Sequence, residues 1–93
     1  MNFKEYQEKV NQMPLYDQPE LGLVGEVGEV IELIKKDRRL GTKRQILSKE
    51  DLTKELGDVL WYLTRLSSVY FIDLEEVAET NIKKLNKRHG IKE

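Results

Sequence analysis

Apolar residues recur at helical spacing along most of the chain, and no stretch alternates apolar and polar residues long enough to make a strand. Four helices account for the pattern. The first runs from about Asn2 to Met13, with Asn2 as its N-cap and Pro14 unable to extend it. Pro19 suits the first turn of a second helix, where a missing N–H is no loss; this helix continues to about Leu40, and Gly41 is its stop. Ser48 with Asp51 three residues on resembles a capping box and opens a third helix reaching about Tyr70. Asp73 and Glu76 repeat that arrangement ahead of a fourth helix, which ends near His89 before Gly90. In the fourth helix Glu75, Glu76 and Glu79 come early and Lys83, Lys84, Lys87 and Arg88 late, the order the helix dipole favours. The expected fold is all-α, a compact four-helix bundle forming one domain over residues 1–93.

Composition adds exclusions. A chain of 93 residues buries only about two-thirds of its unfolded surface, so its own core is modest and self-association is a common remedy. With no cysteine there is neither a disulfide nor a thiolate metal site, which suits a cytoplasmic location. No apolar run approaches the roughly 18–20 residues of a membrane span, and the stretch Met1 to Glu5 lacks the apolar character of a signal peptide. Sixteen Lys and Arg against seventeen Asp and Glu give a net charge of −1, and the basic clusters carry no interleaved aromatics. Both facts argue against stable nucleic-acid binding.

The chemistry lies on the two long helices. In the second, Val24, Val27, Ile31 and Ile34 form an apolar stripe that Leu23 and Val30 extend on one side. Glu26 and Glu29 lie about 60° apart on the helical wheel, at the edge of that sector, with Leu33 projecting between them. They are therefore aimed toward a partner helix. In the third helix Glu55 and Asp58 share a face with Val59, Tyr62 and Leu66, and neither has a Lys or Arg at i+4. Unpaired carboxylates taken out of water need compensation, and a divalent cation supplies it, since Mg²⁺ prefers hard oxygen ligands. Gly22, Gly25, Gly28 and Gly57 fit close approach of a helix or of a ligand, because glycine inside a helix otherwise costs about 1 kcal/mol.

Each feature also has a plainer explanation. A single Glu-x-x-Glu is usually a solvated face, and Glu32 points about 60° from Glu29 toward the surface. Trp61 fits a subunit interface, whereas Tyr62, one turn beyond Asp58, can reach a bound base. Lys35, Lys36, Arg38, Arg39, Lys43 and Arg44 are mostly explained as cations at a helix C-terminus, as is His89. Asn81, Lys84 and Arg88 share one helical face that can carry a polyanion.

Gly25-Glu26-Val27-Gly28-Glu29, then 25 residues, then Glu55-Leu56-Gly57-Asp58-Val59-Leu60-Trp61-Tyr62 resembles the MazG-like nucleotide pyrophosphohydrolases, whose signature is Glu-x-x-Glu followed at a distance by Glu-x-x-Asp. Asp73 to Val77 and Asn81 to Arg88 resemble that family's closing helix, so the likeness covers about Leu21 to Gly90. It implies an all-α fold, a homodimer or a dimer of dimers, and Mg²⁺-dependent hydrolysis of a (deoxy)nucleoside triphosphate to monophosphate and pyrophosphate, with Mn²⁺ able to substitute. It further implies that Glu26, Glu29, Glu55 and Asp58 hold the metal while Asn81, Lys84 and Arg88 bind the phosphates. Two positions depart from the family pattern: Gly25 stands where some members carry another acid, and His89 where an aromatic is frequent. A phosphoribosyl-ATP pyrophosphohydrolase and a non-catalytic helical dimer that binds a nucleotide or a partner protein are the competing readings.

Overall fold

The computed structural model describes residues 1–14, 18–39 and 48–92. Its elements are α1 (Phe3–Val10), α2 (Pro19–Arg39), α3 (Lys49–Val69) and α4 (Leu74–His89), with no strand among the described residues. The fold is all-α, as the periodicity predicts. The expected end of the second helix at Leu40 and Gly41 lies outside the described residues.

Local chemistry sets most helix ends. Asn2 Oδ1 accepts from the Glu5 N–H at 2.8 Å, and Ser48 Oγ accepts from the Asp51 N–H at 3.0 Å. Gly90 adopts φ 66°, the left-handed conformation, and closes α4 with its N–H on the Asn86 carbonyl. Two expectations need correction. The first helix stops at Val10 rather than Met13, because Gln12 and Met13 bond three residues back and tighten the chain into a turn. The Asp73 side chain makes no cap hydrogen bond; the first N–H of α4, on Leu74, is instead taken by Gln7 Oε1 at 2.8 Å. The third helix ends at Val69, as expected to within one residue, and Phe71 occupies the left-handed position (φ 59°) where glycine is usual. The Phe71 and Ile72 N–H groups bond the Ser68 and Ser67 carbonyls there, and the Phe71 ring is 96% exposed.

The chain divides into two compact units. One comprises Met1–Leu15 with Thr64–Glu93. Its interior holds Val10 and Leu74 together with four buried polar residues, Gln7, Thr64, Arg65 and Ser67. Gln7 Nε2 donates to Ser68 Oγ and to the Ile72 carbonyl, both at 3.0 Å, so one amide joins α1, the end of α3 and the start of α4. Arg65 donates through Nη1 to the Val10 carbonyl at 3.1 Å and through Nη2 to the Met13 carbonyl at 3.3 Å. A guanidinium thus closes the carbonyl end of α1, where a cation is favoured.

The other unit, Tyr16–Leu63, contains α2 and the first two-thirds or so of α3. On α2 the best-buried apolar residue is Val30, with Leu23, Leu33 and Ile34 half-buried. The main apolar stripe stands outward: Val24 is 70% exposed, Ile31 55%, and Leu21 and Val27 are exposed as well. The flank of the stripe, not its centre, faces α3.

Candidate functional site

The turn of α2 that carries Glu26 and Glu29 and the turn of α3 that carries Glu55 belong to the same unit. One carboxylate oxygen from each of these three residues lies within 4.8 Å of the others. Glu26 and Glu55 are half-buried and Glu29 is exposed. The Oε2 atoms of Glu26 and Glu55 are shut off from water and have no hydrogen-bond partner. Loss of hydration pushes the Glu26 carboxyl above its ordinary 4.5; hydrogen bonding to Glu29 and repulsion from Glu29, Asp58 and Glu55 add to this. Glu55 is raised for the same first reason, then by Glu29, Asp58 and Asp51. Asp58, one turn beyond Glu55, is exposed and supplies no oxygen to the close set, though its charge acts on both raised groups.

These residues fit a hard divalent cation. Three convergent carboxylates, two with a dry oxygen lacking any donor, form a site that repels itself when ionised and is satisfied by a positive ion.

Beside the cluster, Gly25, Gly28, Glu29, Glu32, Leu33, Lys36 and Glu55 line an open groove of about 480 Å³. That is within the range of small-molecule sites, about 300–1,000 Å³. The glycines fall into two groups. A Cβ at Gly25, Gly28 or Gly57 would meet nothing within 4 Å, so these three serve no close helix contact; Gly25 and Gly28 leave the groove wide instead. Gly22 alone of the four is covered, by the ring of Tyr62.

Lys36 is the lining residue that sequence reasoning passed over as a helix-end cation. Its spacing held the signal, since it lies seven residues beyond Glu29, two turns along the same face. Glu32 is exposed and pairs with Lys35 at 3.8 Å, a contact too wet to contribute much. Tyr62 is half-buried, with the Trp61 ring edge-on to it at 5.0 Å and 81°. In the other unit Asn81 and Lys84 line a second groove with Ile72, Glu76, Val77 and Thr80, about 390 Å³ in volume. Arg88 is exposed in the last turn of α4 and does not line it; His89 is beside it, at the dipole's negative end. Of the first basic cluster, Lys43 and Arg44 and the Arg39 side chain lie outside the described residues.

Among curated proteins, the Gene 37 protein of Mycobacterium phage L5 is 39% identical over 71 residues, which cover 73% of this chain and 60% of that protein's length. No solved structure matches. A family model described as the MazG nucleotide pyrophosphohydrolase domain matches residues 17–90, a span that holds both acid-bearing helices and α4. The chain belongs to the MazG nucleotide pyrophosphohydrolase domain family.

Proposed function

We propose that the chain hydrolyses a (deoxy)nucleoside triphosphate to nucleoside monophosphate and pyrophosphate, with Glu26, Glu29, Glu55 and Asp58 holding Mg²⁺, or Mn²⁺ in its place. The observation that carries this reading is the convergence of Glu26, Glu29 and Glu55, two of them with a dry, unpartnered oxygen. Bound there, the metal would draw phosphate oxygens together, lower the pKa of a water and offset charge developing during in-line displacement. One of the motif glutamates orients the attacking water and takes its proton. Lys36 places a cation on the rim of the acid-lined groove, the charge a polyphosphate needs. Asn81, Lys84 and Arg88 are the proposed phosphate contacts in α4, and Tyr62 the contact to the base.

The working form we propose is a homodimer or a dimer of dimers in the cytoplasm. The outward row Leu21, Val24, Val27 and Ile31 is a continuous apolar strip on α2, and a second copy would remove it from water. Sedimentation equilibrium should give twice 11.0 kDa or a higher multiple; a mass of 11.0 kDa at every concentration would remove this part of the reading.

The activity is tested by incubating the chain with Mg²⁺ and a panel of canonical and modified triphosphates plus phosphoribosyl-ATP, then assaying both phosphate products. Pyrophosphate is expected. Orthophosphate alone would mean that attack is not at the α-phosphorus.

A further inference from the structure

We infer that Gly22 and Tyr62 are a positioning pair that sets the spacing of the two acid-bearing helix segments and so brings Glu55 to Glu26 and Glu29. The inference rests on the metal-site reading above and adds to it the contact that holds the site in shape. A Cβ built on Gly22 would stand 2.5 Å from Cζ and 2.6 Å from Cδ1 of the Tyr62 ring, and nearer still to Cε1. Carbon atoms in contact are ordinarily about 3.5–4.0 Å apart, so no side chain fits between the ring and the α2 backbone. This closeness is particular to Gly22, because the other described glycines, Gly25, Gly28, Gly57 and Gly90, meet nothing within 4 Å.

The placement links this contact to the acids. Gly22 precedes Glu26 by four residues and Tyr62 follows Glu55 by seven, so the contact lies about 6 Å along α2 from Glu26, on the same pair of helical segments. Trp61 stands edge-on to the ring at 5.0 Å and limits its movement on that side. A methyl group at position 22 has to push the ring, and with it the α3 segment that carries it, away from α2 by about 1 Å or more. Three carboxylates that share a space of 4.8 Å, around an ion that tolerates little departure from octahedral geometry, do not absorb such a shift. The phenol hydroxyl has no part in this, because the contacting atoms belong to the ring.

The test is a Mn²⁺ titration of the full chain, followed by the electron paramagnetic resonance of the free ion, with helix content checked by circular dichroism. No nucleotide is present, so any contact of Tyr62 with a base is silent. Gly22→Ala is expected to weaken Mn²⁺ at least about tenfold, in line with losses at residues that support metal ligands. Tyr62→Phe should bind within about twofold of the wild type, and Tyr62→Ala several-fold more weakly. In the Tyr62→Ala background Gly22→Ala should no longer matter, because the clash it creates has gone. Wild-type affinity in Gly22→Ala, or an equal loss from Gly22→Ala in both backgrounds, overturns the pair. Should Gly22→Ala not fold, Tyr62→Ala decides, and unchanged affinity there overturns it. Glu55→Gln separates the two levels: if it too binds Mn²⁺ like the wild type, the metal-site reading itself has failed.

Discussion

Glu55→Ala is expected to lower kcat/KM for triphosphate hydrolysis by at least about a hundredfold, or about 2.7 kcal/mol of transition-state stabilisation. The same change should raise the melting temperature of the metal-free chain. Both effects have one cause. In the absence of an ion, Glu55 lies with Glu26 and Glu29 in a mutually repelling group, one oxygen dry and unpartnered. Removing it relieves repulsion, opens no core cavity, and places a strong helix former within α3. Turnover, in contrast, loses a ligand oxygen. Steady-state kinetics beside thermal melts in a chelator read the two effects together. An enzyme inactive because it is unfolded would melt lower. Wild-type turnover in Glu55→Ala would remove Glu55 from the site.

The second large effect is an opposite response to pH with and without Mg²⁺. Glu26 and Glu55 are raised above 4.5 in the folded chain, so folding favours their protonated forms. Their contribution to stability is fully present below about pH 4.5 and is lost as pH rises through the folded values. Metal binding reverses the sign, because the ligands must be deprotonated to hold the ion. The stability gained from a fixed Mg²⁺ concentration should therefore grow from about pH 5 to about pH 8, reaching ~2.7 kcal/mol where that concentration is a hundred times the Kd. Titrating the wild type against Glu26→Gln/Glu55→Gln isolates these two groups from the chain's other acids. A Mg²⁺ gain independent of pH, or equal in that variant, would show that neither carboxylate is a ligand.

The helices were legible because their signals are local. Asn2, Pro19, Ser48 and Gly90 act on the turn next to them, and each bounds a helix where its chemistry requires. The failures involve partners distant in sequence. Nothing around Asp73 reveals that Gln7, 67 residues from Leu74, takes the N–H that the Asp73 side chain leaves unbonded. The partners of Arg65, the carbonyls of Val10 and Met13, lie 55 and 52 residues away and leave no mark in the sequence around it. No glycine marks the end of α3, because Phe71 accepts the strained left-handed position.

The acid pairs lie between these cases. Spacing alone aimed Glu26, Glu29 and Glu55 toward a neighbouring helix, and those three do converge. Spacing did not separate the half-buried Glu55 from the exposed Asp58 one turn away. It also treated four glycines alike, although Gly22 carries a ring and Gly25 and Gly28 leave a groove open. The helical period of α2 was right, but its apolar stripe of Val24, Val27 and Ile31 stands outward and only the flank with Leu23 and Val30 is covered, a choice that depends on the partner helix and is not encoded in α2 alone.

The account's central claim, attack at the α-phosphorus by a water that the carboxylate cluster positions, is tested most directly by running the reaction in ¹⁸O-labelled water with Mg²⁺. Mass spectrometry of the products then shows which phosphorus was attacked. The account predicts one labelled oxygen in the nucleoside monophosphate and none in the pyrophosphate. Label in the pyrophosphate with none in the monophosphate would place the attack on the β-phosphorus and contradict it.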